Sequence, residues 1–187
     1  MEPTQAPRNL LFDVLLPRLE MLGWVAASSG FVAKWLGYQQ FSPLLICGLA
    51  TLALMQFLRA FAPPAVPAAA APWEPAPATP DFLLDVLMPK VQGIGAAVML
   101  IGMLFKLMFW PGAAAPLSAG FFTFLTATSI DAANQRFRRR AQLLALIGGL
   151  VWAVPSETWG RQFYRHDPAR QQQLIEQLVH SPHHVKP

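Results

Sequence analysis

The sequence predicts an all-α, polytopic membrane protein made of two duplicated transmembrane hairpins, four spans in all, with a short fifth apolar block behind them. Three observations carry this. Only 13% of the 187 residues are charged, where a soluble domain needs about a quarter. The hydrophobic residues, 54% of the chain, fall in long blocks rather than alternating with polar ones. The first two blocks recur in the next two at a fixed spacing.

The blocks are 19–36, broken only by Glu20 and Lys34; 44–58; 91–110, with Lys106 as its one charge; and 116–130, with none. Each approaches the roughly 20 residues that cross about 30 Å of hydrocarbon at about 1.5 Å per residue. Arg8 and Arg18 precede the first block, but a second apolar block follows directly, so a retained hairpin is expected rather than a signal peptide. The fifth block, 141–155 (AQLLALIGGLVWAVP), is shorter. Its length lies between a buried or re-entrant segment and a thin crossing. Cys47, the only cysteine, sits inside an apolar run and is expected to be a small buried hydrophobe.

Residues 10–34 and 82–106 align without a gap at an offset of 72. DVLLPR (13–18) answers DVLMPK (85–90), Gly23 meets Gly95, Gly30 meets Gly102, and Lys34 meets Lys106. Further on, Gly48 meets Gly120 and Thr51 meets Thr123. The expected organisation is a first transmembrane hairpin over 10–62, a Pro/Ala-rich linker over 63–80, a second hairpin over 81–134, and a basic juxtamembrane segment, short apolar helix and polar tail over 135–187. Seven of the 18 linker residues are proline, which predicts an extended spacer. The short loops near 37–43 and 111–115 force each hairpin's helices to lie antiparallel and adjacent. Ahead of each hairpin, Leu10, Leu11, Phe12 and Leu15, or Phe82, Leu83, Leu84 and Leu87, suit either a brief interfacial helix or the first turns of a long tilted span.

Orientation follows from the basic residues. Arg136, Arg138, Arg139 and Arg140 directly follow the fourth block and favour the cytoplasm. Arg8 and Arg18 then put the amino terminus there too, and Arg59 and Lys90 put the linker on the same side. The uncharged hairpin loops fall outside a bacterial inner membrane. Arg161, Arg165 and Arg170 in the tail also prefer the cytoplasm, which favours 141–155 as a segment against the inner face over a fifth span. Residues 168–178 suit a short helix with Leu174, Ile175 and Leu178 on one side.

Gly23, Ala27, Gly30 and Lys34 share one helix face, and Gly95, Met99, Gly102 and Lys106 share its counterpart. Small residues let another helix approach closely, so this face is expected to be a packing seam. An ammonium inside a span invites a functional reading. Lys34 is four residues from Tyr38, however, and Lys106 four from Trp110, so both can snorkel to the outer interface beside an aromatic anchor. Both readings, structural and ion-linked, stand. Asp131 closes the fourth block where Arg136 and the arginines after it are within reach. Ser28, Ser29, Ser118 and Ser129 suit helix-packing hydroxyls. His166, His180, His183 and His184 lie in the tail without a cysteine partner, so an unstructured tail is expected rather than a metal site. The chain has no glycine-rich phosphate loop, no HExxH and no GxSxG. No catalytic, cofactor-binding or metal residues are assigned, and no enzyme activity, small-molecule substrate or nucleic-acid binding is expected.

Residues 95–113 (GAAVMLIGMLFKLMFWPGA) resemble the first membrane helix and following loop of GldL, the membrane subunit of the type IX secretion and gliding motor. The resemblance rests on GAAV, on G-x-L-F-K at 102–106 and on WPGA at 110–113. GLATLA at 48–53 and RAFAPP at 59–64 are similar to the second helix of that family and its exit, and Gly120 and Thr123 are kept in the second repeat. The resemblance implies a membrane hairpin and a lysine, here Lys34 and Lys106, partnered by a membrane glutamate that couples proton flow to rotation. Leu52 and Phe124 stand at the glutamate place, and neither can take up a proton. A non-catalytic, accessory or diverged component that associates with lipids, itself or other membrane-complex subunits is therefore expected, ahead of an ion-conducting or proton-driven protein.

Overall fold

A computed structural model describes residues 14–62, 82–134 and 139–180, with side chains to residue 177. The expectations for Leu10, Leu11, Phe12, the linker, Arg136, Arg138, His183 and His184 lie outside them. The regular structure of the described residues is helical throughout, without a strand: α1 (Leu16–Trp35), α2 (Ser42–Ala60), α3 (Met88–Leu107), α4 (Ala114–Ala133), α5 (Arg139–Ala153), α6 (Ser156–Phe163) and α7 (Pro168–His180).

Proline shapes the starts of three of the four longest helices. Pro17, Pro43 and Pro89 sit in the first turns of α1, α2 and α3, where an absent N–H costs nothing. Ahead of Pro89 the backbone runs as a wide π-type turn over Phe82–Leu87 that continues directly into α3. Of the two readings of this stretch, the structure thus favours the first turns of a long helix.

Packing is sequential: α1 lies along α2, α2 along α3, α3 along α4, and α5 along α4 and α3. The glycine seam explains the close approach within each hairpin. A Cβ on Gly30 would lie 2.8 Å from Leu45 Cα, and one on Gly102 would lie 2.8 Å from Leu117 Cβ. Gly48 faces the backbone of Ala27 as Gly120 faces that of Met99. Gly23 meets Leu52 as Gly95 meets Phe124. All these pairs are related by the same 72-residue step. The seam is therefore buried inside each hairpin, not between hairpins. The two hairpins join through α2 and α3, where a Cβ on Gly93 would lie 2.9 Å from Ala60 Cβ and 2.9 Å from Gln56 O.

Two helices are long and apolar enough to cross a membrane, Gln39–Ala60 and Phe82–Leu107, and α5 with α6, bent by 90°, makes a third if counted as one span. The four crossings expected from the sequence are thus only partly matched by length and composition. Arg18, Glu20 and Lys34 dilute α1, and Asp131 with five hydroxyl residues dilutes α4. Large apolar side chains nevertheless face outward on every long helix, among them Leu22 and Val25, Leu54 and Phe57, Ile101, Phe122, and Leu146 and Leu150.

Three expectations are corrected. Cys47 is exposed, because the packed face of α2 is set by Leu45, Leu49 and Leu52 and Cys47 falls on another side. Of the four serines, only Ser118 joins two helices, accepting a hydrogen bond from Trp152 Nε1 at 3.1 Å. Ser28, Ser29 and Ser129 face outward. Finally, α5 does not stay at the Asp131 end of the hairpins. It runs antiparallel to α4, so that Trp152 reaches Ser118 and Lys106 at the loop end. The tail follows it there: Gln39 Nε2 donates to Phe163 O at 2.8 Å, and Gly37 abuts His166. His166 thus belongs to the ordered turn between α6 and α7.

Candidate functional site

The two repeated lysines end the first helix of each hairpin, and the structure gives them different surroundings. Lys34 is 1% exposed, which overturns the expectation that it snorkels to the interface. Its Nζ donates to Leu107 O at 2.7 Å and lies 3.4 Å from Met108 Sδ. The ammonium sits 5.1 Å from the Phe163 ring centroid and 5.5 Å from that of Phe109, within the range of a cation–π attraction. Phe31, Trp35 and Trp159 complete an aromatic enclosure, with Trp159 edge-on to both Phe31 and Trp35. Tyr38, the proposed anchor, pairs with Phe41 instead.

The enclosure exists because α6 folds back. Pro155 stops the helix before it, and the 90° bend lays Trp159 and Phe163 across the ends of α1 and α3. Trp159 Nε1 is buried without a hydrogen-bond partner among the described residues. Phe109 adds to the enclosure at a conformational cost. Its φ is +58°, a left-handed backbone, and Gly37, 72 residues earlier, has φ +93°. The second repeat thus places a phenylalanine where the first uses the residue suited to that conformation.

Lys106 is half-buried and donates to Trp152 O at 2.9 Å. Each lysine therefore supplies a donor to the carbonyl end of the next odd-numbered helix: Lys34 of α1 to α3, Lys106 of α3 to α5. Carbonyls at a helix end lack intrahelical donors and carry partial negative charge, so an ammonium is a fitting partner. In this respect α5 stands to the second hairpin as α3 stands to the first.

The opposite end of each hairpin holds a second polar pair that sequence reading did not find. Arg59 Nη1 and Nη2 donate to Glu20 Oε1 and Oε2 at 3.0 and 2.5 Å. Seventy-two residues on, the same positions hold Gln92 and Asp131, both buried. Gln92 Nε2 donates to Thr128 Oγ1 at 3.3 Å. The signal was present in the sequence: residues near the open ends of two antiparallel helices face each other.

At the glutamate place, Leu52 and Phe124 are buried against Gly23 and Gly95. Among the described residues, no group of three or more His, Cys, Asp or Glu side chains comes together to hold a metal.

These features define a helical membrane protein built from lysine-ended hairpins. Residues 91–126, covering most of α3 and the first part of α4, match the family described as the GldL N-terminal domain. The chain is similar to that family over this segment, which is less than half its length. No curated protein and no solved structure matches the chain.

Proposed function

We propose that the protein is a non-catalytic structural or accessory component of a gliding motility or type IX secretion complex in a bacterial inner membrane. The observation that carries this reading is the pairing of a GldL-like segment with packed apolar side chains at the glutamate place. Leu52 and Phe124 fill the helix contact at Gly23 and Gly95, so the hairpin keeps its shape while lacking the group that would exchange a proton. Both lysines are engaged with helix-end carbonyls, which gives them a structural task and weakens the ion-conducting alternative. On this reading α1 to α4 cross the membrane as two hairpins, since α1 and α4 lie along the two apolar spans. The arginine-rich end, with Arg18, Arg59, Arg139 and Arg140, faces the cytoplasm.

The test is gentle solubilisation from native membranes, followed by the mass of the complex and the identity of its subunits. Co-purification with gliding or secretion subunits supports the reading. A lone monomer in mild detergent, together with proton flux in vesicles that disappears when Lys34 and Lys106 are both changed to methionine, would replace it with the ion-driven alternative.

A further inference from the structure

We propose that the outward face of α1 is a docking surface for the lysine-ended hairpin of a separate membrane protein, bound as the first hairpin of this chain binds the second. The inference deepens the proposed function and rests on it. The α2–α3 contact uses Gly93, Ala97, Leu100, Leu104 and Leu107 of α3, all buried. The residues 72 positions earlier are Met21, Val25, Ser28, Val32 and Trp35 of α1, and all are exposed. Val25 and Val32 are 59% and 55% exposed, where Ala97 and Leu104 are 4% and 6%. The same helix surface is thus covered in the second repeat and open in the first.

Two features separate this face from an ordinary lipid-facing one. It carries hydroxyls: Ser28 and Ser29 stand exposed among Trp24, Val25 and Val32 on a nearly flat apolar surface. Ser29 satisfies its hydroxyl on Val25 O at 2.6 Å, whereas no described residue pairs with the Ser28 hydroxyl, which suits a hydrogen bond across a helix interface. Second, Leu107 O and Trp152 O each receive a lysine from the preceding hairpin. Trp35, the counterpart of Leu107, receives none among the described residues. A docked hairpin whose first helix ends in lysine would complete the series.

A second copy of this chain is the poorer occupant. Its Lys34 and Lys106 are both engaged, α3 covers its α2, and α5 covers part of its α4. The partner is therefore a hairpin whose lysine and second helix are free.

The test uses the full chain with Cys47→Ser, carrying Val25→Cys or Val32→Cys, and Phe122→Cys or Leu146→Cys as controls on other outward faces. Each is co-expressed with a full-length protein bearing the GldL N-terminal hairpin and one cysteine in its second membrane helix, then treated in membranes with a bis-maleimide. Adducts of the two proteins at Val25→Cys and Val32→Cys but not at the controls are expected. Changing the partner's first-helix lysine to methionine should lower the adduct about tenfold, as loss of one charge-assisted hydrogen bond implies. Adducts of twice this chain's own mass, or equal adducts at the control faces, overturn the proposal. If the two proteins co-purify but Val25→Cys and Val32→Cys give no adduct, the α1 face is refuted while the accessory role stands. If they neither co-purify nor cross-link, both fail.

Discussion

Replacing Phe109 separates backbone strain from ring packing. An L-residue in the left-handed region costs about 1–2 kcal/mol, and Phe109 bears that cost at φ +58°. Its ring offsets it by lying 5.5 Å from the Lys34 ammonium, 6.2 Å from the Phe163 ring and 6.1 Å from that of Tyr164, contacts worth roughly 0.5–1.5 kcal/mol each. Phe109→Ala and Phe109→Gly both lose the ring, so both should be less stable than the parent by about 2 kcal/mol or more. They differ only in the backbone. Glycine avoids the strain but gives up about 0.4–1 kcal/mol through its freer unfolded chain, leaving Phe109→Gly ahead of Phe109→Ala by about 1 kcal/mol. At a helical position the order is the reverse, alanine leading by about 1 kcal/mol. Reversible unfolding by sodium dodecyl sulfate in mixed micelles, followed by tryptophan fluorescence, resolves a gap of this size. An alanine variant as stable as the glycine variant, or more so, would refute the left-handed assignment. Both variants should also open Lys34 to acylation, while the parent protects it.

Gly102→Ala drives a methyl into the backbone of Leu117 and should destabilise by about 1–3 kcal/mol, whereas Gly149→Ala meets only the edge of the Phe121 ring at 3.3 Å and should be close to neutral; the same unfolding assay compares them. Glu20→Gln breaks a bidentate ion pair whose arginine is about one-third exposed, so the cost should be near 1 kcal/mol after solvent screening, and the exchange Glu20→Arg with Arg59→Glu should recover most of it. Burial pushes the Tyr164 phenol above its ordinary value. Its folded state favours the protonated form, so this contribution is complete below about pH 10 and is lost as pH rises through the raised value. Absorbance at the phenolate band should titrate later in the folded protein than in the unfolded chain, and Tyr164→Phe should remove that step. Lys34→Met leaves Leu107 O without its donor and should cost about 1–3 kcal/mol, read as a lower midpoint in the same titration.

What the sequence made legible was governed by local periodicity. The 72-residue repeat predicted matching glycine seams, and Gly30 and Gly102 do meet Leu45 and Leu117 in equivalent contacts, since a small residue at a fixed helix register acts the same way wherever the hairpin occurs. The fate of Lys34 was not legible, because it depends on Trp159 and Phe163, more than a hundred residues away and beyond a sharp bend at Pro155. The lysine's own neighbourhood pointed to Tyr38 and open water. Charge counting grouped Arg161 and Arg165 with Arg139 and Arg140 at one end, but α5 carries them to the hairpin-loop end. The Phe109 backbone could have been inferred by aligning it with Gly37. The Glu20–Arg59 pair required a three-dimensional register that short loops suggest but composition alone does not supply.

The enclosure around Lys34 also imposes an order on biosynthesis. The lysine is made in the first hairpin, its carbonyl partner in the second, and the aromatic rings that seal it near the end of the chain. Until α6 is made, the ammonium lacks the Phe163 ring that lies against it and Trp159 behind that ring. A chain cut before Ser156 keeps every long helix yet leaves that charge without the Trp159 and Phe163 rings.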